Sequence, residues 1–589
     1  MNTCKSPLIA WLSVLLVCVL SACIDKRDLR DNTLIIHILA EPKGLHPTNN
    51  NDAYQKMIFQ CTQKRLIMMD LASGKMVPDL LESFPEILSD SLTYRCKLRS
   101  GIKWDDGSIL RAEDIVFSMK AIVCPGVNNP DIKSIFKNLE DVIIDPIDKQ
   151  VFYVKMKERY FDNSSMLSYV VVIQEKAWDK SGILNKQSFS ALLNDQVAES
   201  EKLELDQFVN DFNHSDKSRV PKYLLGLGPY QVSDWQTGSS ITLTKKQNWW
   251  GKSSTRISEK AFPDRIIFRV IREMESVVLA LKREEIDVTS ELSAAALIRL
   301  QEKGYFNRNY KSDCVGSFSY TYMGMNMRPE GGRVPYFTDK RVRRAMAHVF
   351  PVDEIIAVIA KGKATRIAGF IQPGQLEYDP KLPLLNYDLE KAKNLLEEAG
   401  WKDTDGDNIR DKIIDGKRVP FSFGLSYMIS PVTSEMVRMI KSEFYKAGLE
   451  VRNEPMEFSV FYQNAFAHNF DAMLGSWSSS ALPEDPRQIW HSESWSTGGS
   501  NFVGYGSAYS DSLIEVANKE LNPAVRKELL QEIQRTIYEE QPYVFLFNAT
   551  RKVAAHKRFK NISFHVERPH LQLNNLELDP DWENKPSNK

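Results

Sequence analysis

The chain lacks the features that would place it on nucleic acid or inside a bilayer. Its 76 Lys and Arg residues balance 77 Asp and Glu residues, the net charge is −1, and no basic block stands out. A surface without a basic patch argues against nucleic acid or anionic lipid as a partner. Beyond Cys23 no apolar run is long enough to span a membrane. The 589 residues, 43% of them hydrophobic, are ample for more than one core.

Sequence motifs for catalysis are also missing. No two of the nine histidines have the helical spacing of a zinc hydrolase, and no serine lies in a Gly-x-Ser-x-Gly elbow. Gly251-Lys252-Ser253 is only superficially similar to a phosphate loop, because Lys246 stands where the upstream glycine belongs. We therefore predict a protein that is not an enzyme and that needs no cofactor.

Cysteine is scarce, with seven residues, and Cys4, Cys18 and Cys23 belong to an apolar leader or follow it directly. The other four are too far apart in sequence for a metal knuckle or a redox pair. In an oxidising compartment they allow three disulfide pairings, and the sequence leaves open whether a disulfide forms and which residues it joins. These four are Cys61, Cys96, Cys124 and Cys314.

The leader predicts export and a lipid anchor. An early cation, Lys5, precedes an uncharged run over 8–20, which is the layout of a signal peptide over 1–22. Leu20-Ser21-Ala22-Cys23 matches the bacterial lipobox, which implies that Cys23 carries acyl chains that hold the protein on a membrane. The alternative is an ordinary signal peptide followed by chance by a cysteine. The charged residues 23–32 are expected to form a stalk.

Strands that alternate with helices indicate an α/β fold. Alternating or β-branched runs predict strands at 33–40, 92–98, 151–156, 241–245, 265–270 and 449–452. Apolar spacing near 3.6 predicts helices at 52–67, 112–123, 389–399, 433–447 and 526–540, with Asp388 as an N-cap. The polar segment 181–218 is expected to be a poorly ordered surface insertion.

One turn carries alternate carboxylates that suit a hard cation such as calcium. However, Asn408 stands where an EF-hand needs glycine, and Ile414 where it needs a bidentate glutamate. We favour the alternative of a polar hairpin turn, in which any bound ion would be structural. The candidate ligands are Asp403, Asp405, Asp407 and Asp411.

Several segments, in order along the chain, are similar to the bacterial extracellular solute-binding proteins of family five, the peptide, nickel and opine receptors of ABC importers. Residues 92–118 resemble the most recognisable segment of that family. Gly228-Pro229-Tyr230 and 246–251 resemble a second, paired motif. The remaining matches are 285–287, 337–350, 387–401 and 470–477.

The resemblance implies a two-lobed periplasmic-binding-protein fold with the ligand cleft between the lobes. The first lobe would comprise 33–72, 222–295 and 541–589, with 73–221 as its accessory subdomain. The second lobe would comprise 296–540, and hinge passes are expected near Ser293 and Gln541. Closure around a ligand would remove water and strengthen polar contacts.

The resemblance also implies where a ligand would bind. Peptide binders of this class pair the main chain of the ligand with two edges, here predicted at 41–47 and 475–480. Ser480 replaces the aspartate that holds a free ammonium in relatives, and carboxylates follow only at Glu484 and Asp485. A relative's carboxylate-binding arginine is also missing, although Arg438 lies one turn later. The predicted ligand contacts are Gly44, Leu45, His46, Trp477, Ser478, Ser479, Ser480 and Asn501.

The resulting prediction is a monomeric, lipid-anchored, extracytoplasmic receptor for oligopeptides or a related solute, with ABC permease subunits as partners. A metal-chelate binder that uses His46 or His491 is an alternative with the same fold. A solute sensor for a signalling partner and a secreted hydrolase are alternatives from other classes. The sequence leaves the solute and the membrane leaflet open.

Overall fold

The computed structural model of the protein describes residues 28–48, 52–479 and 481–582. Two lobes are each built on a sheet of their own, and a third, four-stranded sheet forms an accessory subdomain. The predicted α/β class with two lobes is confirmed. The leader, the candidate anchor Cys23 and the predicted ligand contact Ser480 lie outside the described residues. No described helix combines the length and apolar character needed to cross a membrane.

The first lobe contains a seven-stranded sheet covered on both faces. Leu34, Ile36 and Ile38 alternate onto the face that also buries Met57, whereas Ile35 packs on the opposite face. Period-two alternation therefore sets which residues each layer buries. In spatial order the strands are Tyr310–Val315, Arg551–His556, Val288–Leu292, Thr33–Ile38, Arg265–Val270, Ser240–Lys245 and Tyr230–Gln236. The helices are Ala53–Thr62, Met274–Lys282, Ala294–Gln301 and Gly304–Asn309.

The second lobe contains a six-stranded sheet between two helical layers. Tyr322 packs in one layer and its neighbour Met323 in the other. In spatial order the strands are Ala364–Arg366, Tyr543–Ala549, Ser319–Met325, Ala472–Ser478, Ser422–Met428 and Glu450–Met456. The helices are Lys340–Val349, Val352–Val358, Leu389–Glu398, Pro431–Lys446, Phe458–Phe466, Arg487–Trp490, Ala508–Lys519 and Pro523–Glu540.

The accessory subdomain has a core of its own. Its sheet consists, in spatial order, of Glu86–Ile87, Thr93–Lys97, Val151–Met156 and Leu139–Ile144. Its helices are Ala112–Val123, Pro130–Ile135, Glu175–Trp178, Ile183–Lys186, Phe189–Leu193, Glu199–Phe212 and Asp216–Arg219. Three further two-stranded ribbons pair Ile67–Asp70 with Lys75–Pro78, Asp411–Ile414 with Lys417–Pro420, and Phe559–Lys560 with Glu577–Leu578.

The expectation of a poorly ordered insertion over 181–218 is wrong. The helix Glu199–Phe212 buries Leu205, Phe208 and Phe212 against the accessory core. These apolar residues recur at intervals of three and four, so a polar sequence still presents one apolar face. The high content of Asn, Ser, Asp and Lys reflects the other, solvated face of this helical segment.

Strand pairing shifts the expected lobe boundaries. The strand Tyr310–Val315 pairs with Arg551–His556 in the first sheet, although it was expected in the second lobe. The strand Tyr543–Ala549 pairs with Ser319–Met325 in the second sheet, although it was expected in the first lobe. The chain therefore crosses between the sheets after Val315 and after Ala549, rather than near Ser293 and Gln541, because long-range pairing decides sheet membership.

The thiols of Cys61, Cys96, Cys124 and Cys314 are all free. Among these four, the disulfide that the sequence left open is therefore not formed. Burial raises the pKa of Cys61, Cys96 and Cys124 to about 12 in each case. A thiol with so high a pKa is protonated at neutral pH and chemically inert.

Candidate ligand cleft between the lobes

The cleft lies where the carboxyl ends of parallel strands from both sheets meet the crossing segments. In the first lobe the parallel strands end at Ile38, Val270 and Leu292. In the second lobe the parallel strands end at Met428, Met456 and Ser478. The carboxyl ends of strands in open α/β sheets are where ligands bind, because loops and unpaired backbone groups converge there.

The two crossing segments are hydrogen-bonded to one another. Ser317 Oγ donates to the carbonyl oxygen of Ala549 at 2.6 Å. Asn548 Nδ2 donates to the carbonyl oxygen of Ser319 at 2.8 Å. Each side chain on one segment thus satisfies backbone acceptors of the other, which holds the two passes between the lobes side by side.

Trp477 lies on the second-lobe wall, half-buried in a stack of aromatic rings. Its ring centroid is 6.3 Å from that of Tyr322 and 5.7 Å from that of Phe502, in near-parallel planes. Its Nε1 donates to the Tyr543 hydroxyl at 3.4 Å. The neighbouring residue Ser478 is exposed. Trp477 therefore packs against the rings beneath it and keeps part of its surface accessible, and a contact with the ligand stays a prediction.

Apolar side chains that the sequence reasoning missed extend this wall. Ile429 directly follows the strand Ser422–Met428, and Phe458 follows shortly after the strand Glu450–Met456. Their side chains are 57% and 66% exposed, respectively. Their backbones are held together, since the Ile429 N–H donates to the carbonyl oxygen of Met456 at 3.0 Å. Phe458 also packs on Tyr462 with ring centroids 4.9 Å apart. Exposed apolar residues at strand ends offer contacts to apolar groups of a ligand.

The loop after Trp477 reaches the first lobe. The Ala481 N–H donates to Oε1 of Glu567 at 2.6 Å. Within the loop, Glu484 accepts hydrogen bonds from Ser479 Oγ and, at 2.8 Å, from Gln375 Nε2. Burial raises the pKa of Glu484 despite these donors. The carboxylates that follow the predicted edge are therefore part of the region where the lobes meet.

The predicted first-lobe edge packs against the accessory subdomain. The Leu45 N–H donates to the carbonyl oxygen of Ser218 at 2.7 Å, and the preceding Gly44 is buried. His46 Nε2 bonds to the carbonyl oxygen of Phe212 at 2.8 Å, and its Nδ1 accepts from the Thr48 N–H at 3.2 Å. Burial lowers the pKa of His46 to about 4. This environment favours a structural role for the neutral imidazole.

Asn501 is fully buried in a loop of the second lobe. Its Nδ2 donates to the carbonyl oxygens of His491 and Tyr505 at 3.0 and 2.7 Å, and its Oδ1 accepts from the Tyr505 N–H. Trp477, Ser478 and Ser479 therefore lie at the end of the strand Ala472–Ser478, whereas Asn501 and the 44–46 segment lie within packed regions.

A group of charged residues on the first-lobe side was also missed. Arg568 Nη1 lies 3.5 Å from Oε1 of Glu291, the residue before the last one of its strand. The Arg568 carbonyl accepts from Gln60 Nε2 at 3.0 Å, which ties the segment to the helix Ala53–Thr62. Burial lowers the pKa of Lys56 and of Arg551, and the charge of Arg568 adds to the effect on each. No local signal links these residues, since they come from distant parts of the chain.

A second set of contacts joins the accessory subdomain to the second lobe. Tyr160 donates its hydroxyl hydrogen to Oδ2 of Asp485 at 2.9 Å. The Phe161 N–H donates to the carbonyl oxygen of Asn518 at 2.8 Å, and the Arg526 guanidinium lies 3.4 Å from the Phe161 ring centroid. We call these five residues the lobe bridge.

Asp162 adjoins the lobe bridge in an environment that opposes its ionisation. Burial raises the pKa of Asp162 to about 6, with a further contribution from Asp485, against the opposing effects of a Ser165 hydrogen bond and the Arg526 charge. Its Oδ1 is buried and has no hydrogen-bond partner among the described residues. A carboxyl group between the lobes is thus sensitive to how closely they approach.

The acidic turn is held by its own hydrogen bonds. Carboxylate oxygens of Asp403, Asp405 and Asp411 lie within 4.8 Å of one another. Asp411 accepts from Thr404, Asp405 pairs with Arg418, and Asp403 accepts from the Gly406 N–H. Asp407 lies outside this group and accepts from the Ile409 N–H at 2.7 Å. The hairpin interpretation accounts for these contacts, and calcium binding stays a prediction.

The fold and the cleft define a two-lobed α/β solute-binding protein. A family model described as bacterial extracellular solute-binding proteins, family 5 Middle, matches residues 75–539. This match covers most of the chain, and the chain belongs to that family.

Three comparisons with known proteins agree with this assignment. The chain is 28% identical over 496 residues to the oligopeptide-binding protein AppA of Bacillus subtilis (strain 168), which covers 83% of this chain and 81% of the relative. The structure of AppA from Bacillus subtilis in complex with a nonapeptide matches at 24% identity with a TM-score of 0.67, covering 93% of this chain and 99% of that one. NikA from Brucella suis in complex with Fe(III)-EDTA matches at 18% identity with a TM-score of 0.73, covering 93% and 100%. The two structures support the fold.

Proposed function

We propose that this protein is the extracytoplasmic binding component of an ABC importer and that it captures oligopeptides between its lobes. In this proposal it binds its ligand without catalysing a reaction. The observation that carries this proposal is the cleft between the two carboxyl edges, with Trp477 and exposed apolar side chains on one wall and charged groups on the other. A peptide offers main-chain polar groups, apolar side chains and charges in one ligand, which such walls can bind together. The name of AppA, an oligopeptide-binding protein, supports the same solute class.

Lobe closure is the mechanism we propose for capture. Closing over a peptide would remove water from the peptide and from the cleft walls, which strengthens each polar contact. The occupied, closed state would then have a shape that the permease can distinguish. The contacts between Ala481 and Glu567 and those of the lobe bridge would form on closure. Within the described residues the chain passes between the lobes twice, after Val315 and after Ala549, which suits a hinge.

The anchor and the partners are part of the proposal. Acylation at Cys23 would tether the monomer to a bacterial membrane beside the permease, since two or more acyl chains give stable anchoring. Cys23→Ser should then yield an unacylated protein that leaves the membrane fraction, which fractionation and intact-mass measurement would detect. Retention of the variant in membranes would contradict the anchor.

A metal-chelate ligand has less support in the geometry. Both ring nitrogens of His46 are engaged within the packed region. His491 is buried and its Nδ1 accepts from the Glu493 N–H at 3.2 Å. Both nitrogens of His46 are thus engaged by the protein, whereas His491 keeps one buried nitrogen, Nε2, without a hydrogen-bond partner among the described residues.

Mass spectrometry of ligand released from natively purified protein tests the solute class. We expect the released ligand to consist of peptides of several residues. We also expect a library of peptides in equal amounts to raise the melting temperature of the protein, since a ligand at 100 times its Kd stabilises the folded state by about 2.7 kcal/mol. A released metal chelate, or a library that leaves the melting temperature unchanged, would overturn the peptide proposal.

A further inference from the structure

Next to the lobe bridge lies the carboxyl group of Asp162, at the interface between the accessory subdomain and the second lobe. Tyr160 donates to Oδ2 of Asp485 at 2.9 Å. The Arg526 guanidinium lies 3.4 Å from the centroid of the Phe161 ring. Because Asp162 is the next residue of this segment, the contacts of its two predecessors bring it to the same interface. A carboxylate in such a place is costly unless a cation or hydrogen-bond donors stabilise it.

Arg526, the cation of the lobe bridge, is engaged by another carboxylate. Its Nη1 lies 3.0 Å from Oε1 of Glu377, within its own lobe. Asp485 has donors besides Tyr160, since Asn518 Nδ2 donates to its Oδ1 at 2.8 Å. By contrast, Oδ1 of Asp162 is buried and has no hydrogen-bond partner among the described residues. Of the carboxyl groups of Asp162 and Asp485, that of Asp162 is therefore the less well compensated.

Charged and titratable groups face Asp162 from both sides of the interface. From the second lobe, Arg526 favours the ionisation of Asp162 and Asp485 opposes it. In the accessory subdomain, burial raises the pKa of Tyr160 and of Tyr169, and the charge of Asp162 adds to both effects, so both hydroxyls stay neutral. Burial raises the pKa of Asp162 itself to about 6, so this group changes its charge between acidic and neutral pH.

Separation of the lobes would change the surroundings of Asp162. Asp485 and Arg526 belong to the second lobe, so their contacts with the accessory subdomain would be lost in an open form. Water would then reach the carboxyl group of Asp162, and its pKa would return toward the ordinary value of about 3.9. Since the closed form would bind a proton more tightly than the open form, closure and protonation would favour each other.

We propose that closure of the lobes over a solute takes up a proton at Asp162, so that the protein binds its solute more tightly in a mildly acidic environment. This inference rests on the proposed function, because it requires that the lobes close on binding. The raised pKa belongs to the closed form, so the added affinity is present at low pH and is lost as the pH rises through about 6. Between pH 7 and pH 5 the affinity should increase about tenfold.

Isothermal titration calorimetry of the full chain tests the proposal. The probe is a pool of synthetic oligopeptides with free termini that lacks Asp, Glu and His, so that its charge hardly changes between pH 5 and pH 7. Titrations at pH 5 in two buffers with different heats of ionisation give the number of protons taken up on binding. We expect an apparent affinity about tenfold higher at pH 5 than at pH 7, and an uptake of about 0.8 proton per bound peptide at pH 5.

Asp162→Asn keeps the shape of the side chain and fixes it in an uncharged form. We expect this variant to bind the pool equally well at pH 5 and pH 7, with the affinity of the wild-type protein at pH 5, and to take up no proton. Equal melting temperatures of this variant and the wild-type protein at pH 4 would show that the variant folds.

Tyr160→Phe is the matched control, because it removes a hydrogen bond from the same interface and keeps the carboxyl group of Asp162. This variant should bind the pool more weakly by the same factor at both pH values. Its proton uptake at saturation should equal that of the wild-type protein.

Two results would overturn the proposal and leave the proposed function in place. If the wild-type protein binds the pool without proton uptake, Asp162 is equally buried in the open and closed forms. If the pH dependence survives in Asp162→Asn, another group takes up the proton. Failure of the wild-type protein to bind the pool at either pH would overturn the proposed function instead.

Discussion

At the scale of single residues, a residue within a recognisable motif can be singled out from the sequence, whereas residues linked only by long-range contacts cannot. Trp477 is predicted as a ligand contact because it lies in a motif that resembles the family. The structure places it half-buried near the end of the strand Ala472–Ser478, and the ligand contact stays a prediction. Glu291 and Arg568 carry no such signal, because an ion pair between residues so far apart in the sequence leaves no local pattern. Their proximity is a property of the three-dimensional fold.

Trp477→Ala should weaken peptide binding and also destabilise the second lobe. Each aromatic pair contributes about 0.5–1.5 kcal/mol beyond burial, so losing the two pairs with Tyr322 and Phe502 should cost about 1–3 kcal/mol in addition to the lost burial. Trp477→Phe should restore most of the stability. Denaturant unfolding and peptide titration measure both effects.

Trp401→Phe is the control for Trp477. Trp401 is buried in the other layer of the same lobe, so this change should lower stability and leave peptide affinity intact. If Trp477→Phe binds peptide no more weakly than Trp401→Phe, the indole does not contact the ligand.

Asp162→Asn should stabilise the protein at neutral pH and not at pH 4. The folded-state pKa of Asp162 is raised to about 6, so the ionised carboxylate is the disfavoured form in the folded protein. Its contribution to stability is therefore highest below about pH 4 and falls as the pH rises through 6, by on the order of 3 kcal/mol. Unfolding free energies at pH 4 and 7.5 test the sign.

Asp145→Asn is the control, because the pKa of Asp145 is shifted in the direction opposite to that of Asp162. The pKa of Asp145 is lowered by the Asp148 and Ile147 N–H donors, so replacing it should give no gain at neutral pH. A stabilisation by Asp162→Asn that is equal at both pH values would contradict the account given for Asp162.

At the scale of elements, local sequence patterns predict where many helices and strands begin and end, but they do not predict which strands pair. The helix Ala112–Val123 and the strands Val151–Met156 and Arg265–Val270 begin and end where their periodicity indicated. Asp388 caps its helix by accepting the Lys391 N–H at 2.9 Å, as its residue type predicts. The lobe boundaries depended on which strands pair across hundreds of residues, and no local pattern carries that information.

Leu205→Ala should destabilise the accessory subdomain by about 2–5 kcal/mol, because it removes a buried side chain from the helix Glu199–Phe212. Leu203→Ala, on the same helix, should change stability by less than about 0.5 kcal/mol, because Leu203 is 71% exposed. Chemical unfolding followed by tryptophan fluorescence gives both values. Equal and small effects would instead favour a loosely attached insertion.

At the scale of the whole molecule, the contacts between the lobes in the described part of the chain include two regions that are separate in sequence. Ala481 contacts Glu567, next to the ion pair of Arg568 with Glu291, and the lobe bridge joins the accessory subdomain to the helices Ala508–Lys519 and Pro523–Glu540. The accessory subdomain thus touches the second lobe directly, although the resemblance assigned it to the first lobe alone. If the lobes close over a ligand, the lobe bridge adds free energy to the closed state without touching the ligand.

Phe161→Ala should therefore weaken peptide binding from outside the cleft. A desolvated cation–π contact contributes about 2 kcal/mol, so losing the one between Phe161 and Arg526 should reduce affinity up to about thirtyfold by populating the open state. Small-angle scattering should show a larger radius of gyration for the variant at subsaturating peptide and the same value as wild type at saturation. Phe84→Ala, an exposed phenylalanine of the same subdomain, should change neither quantity. Scattering profiles that are identical with and without peptide, in wild type and variant alike, would mean that the lobes form one rigid body and that closure does not accompany binding.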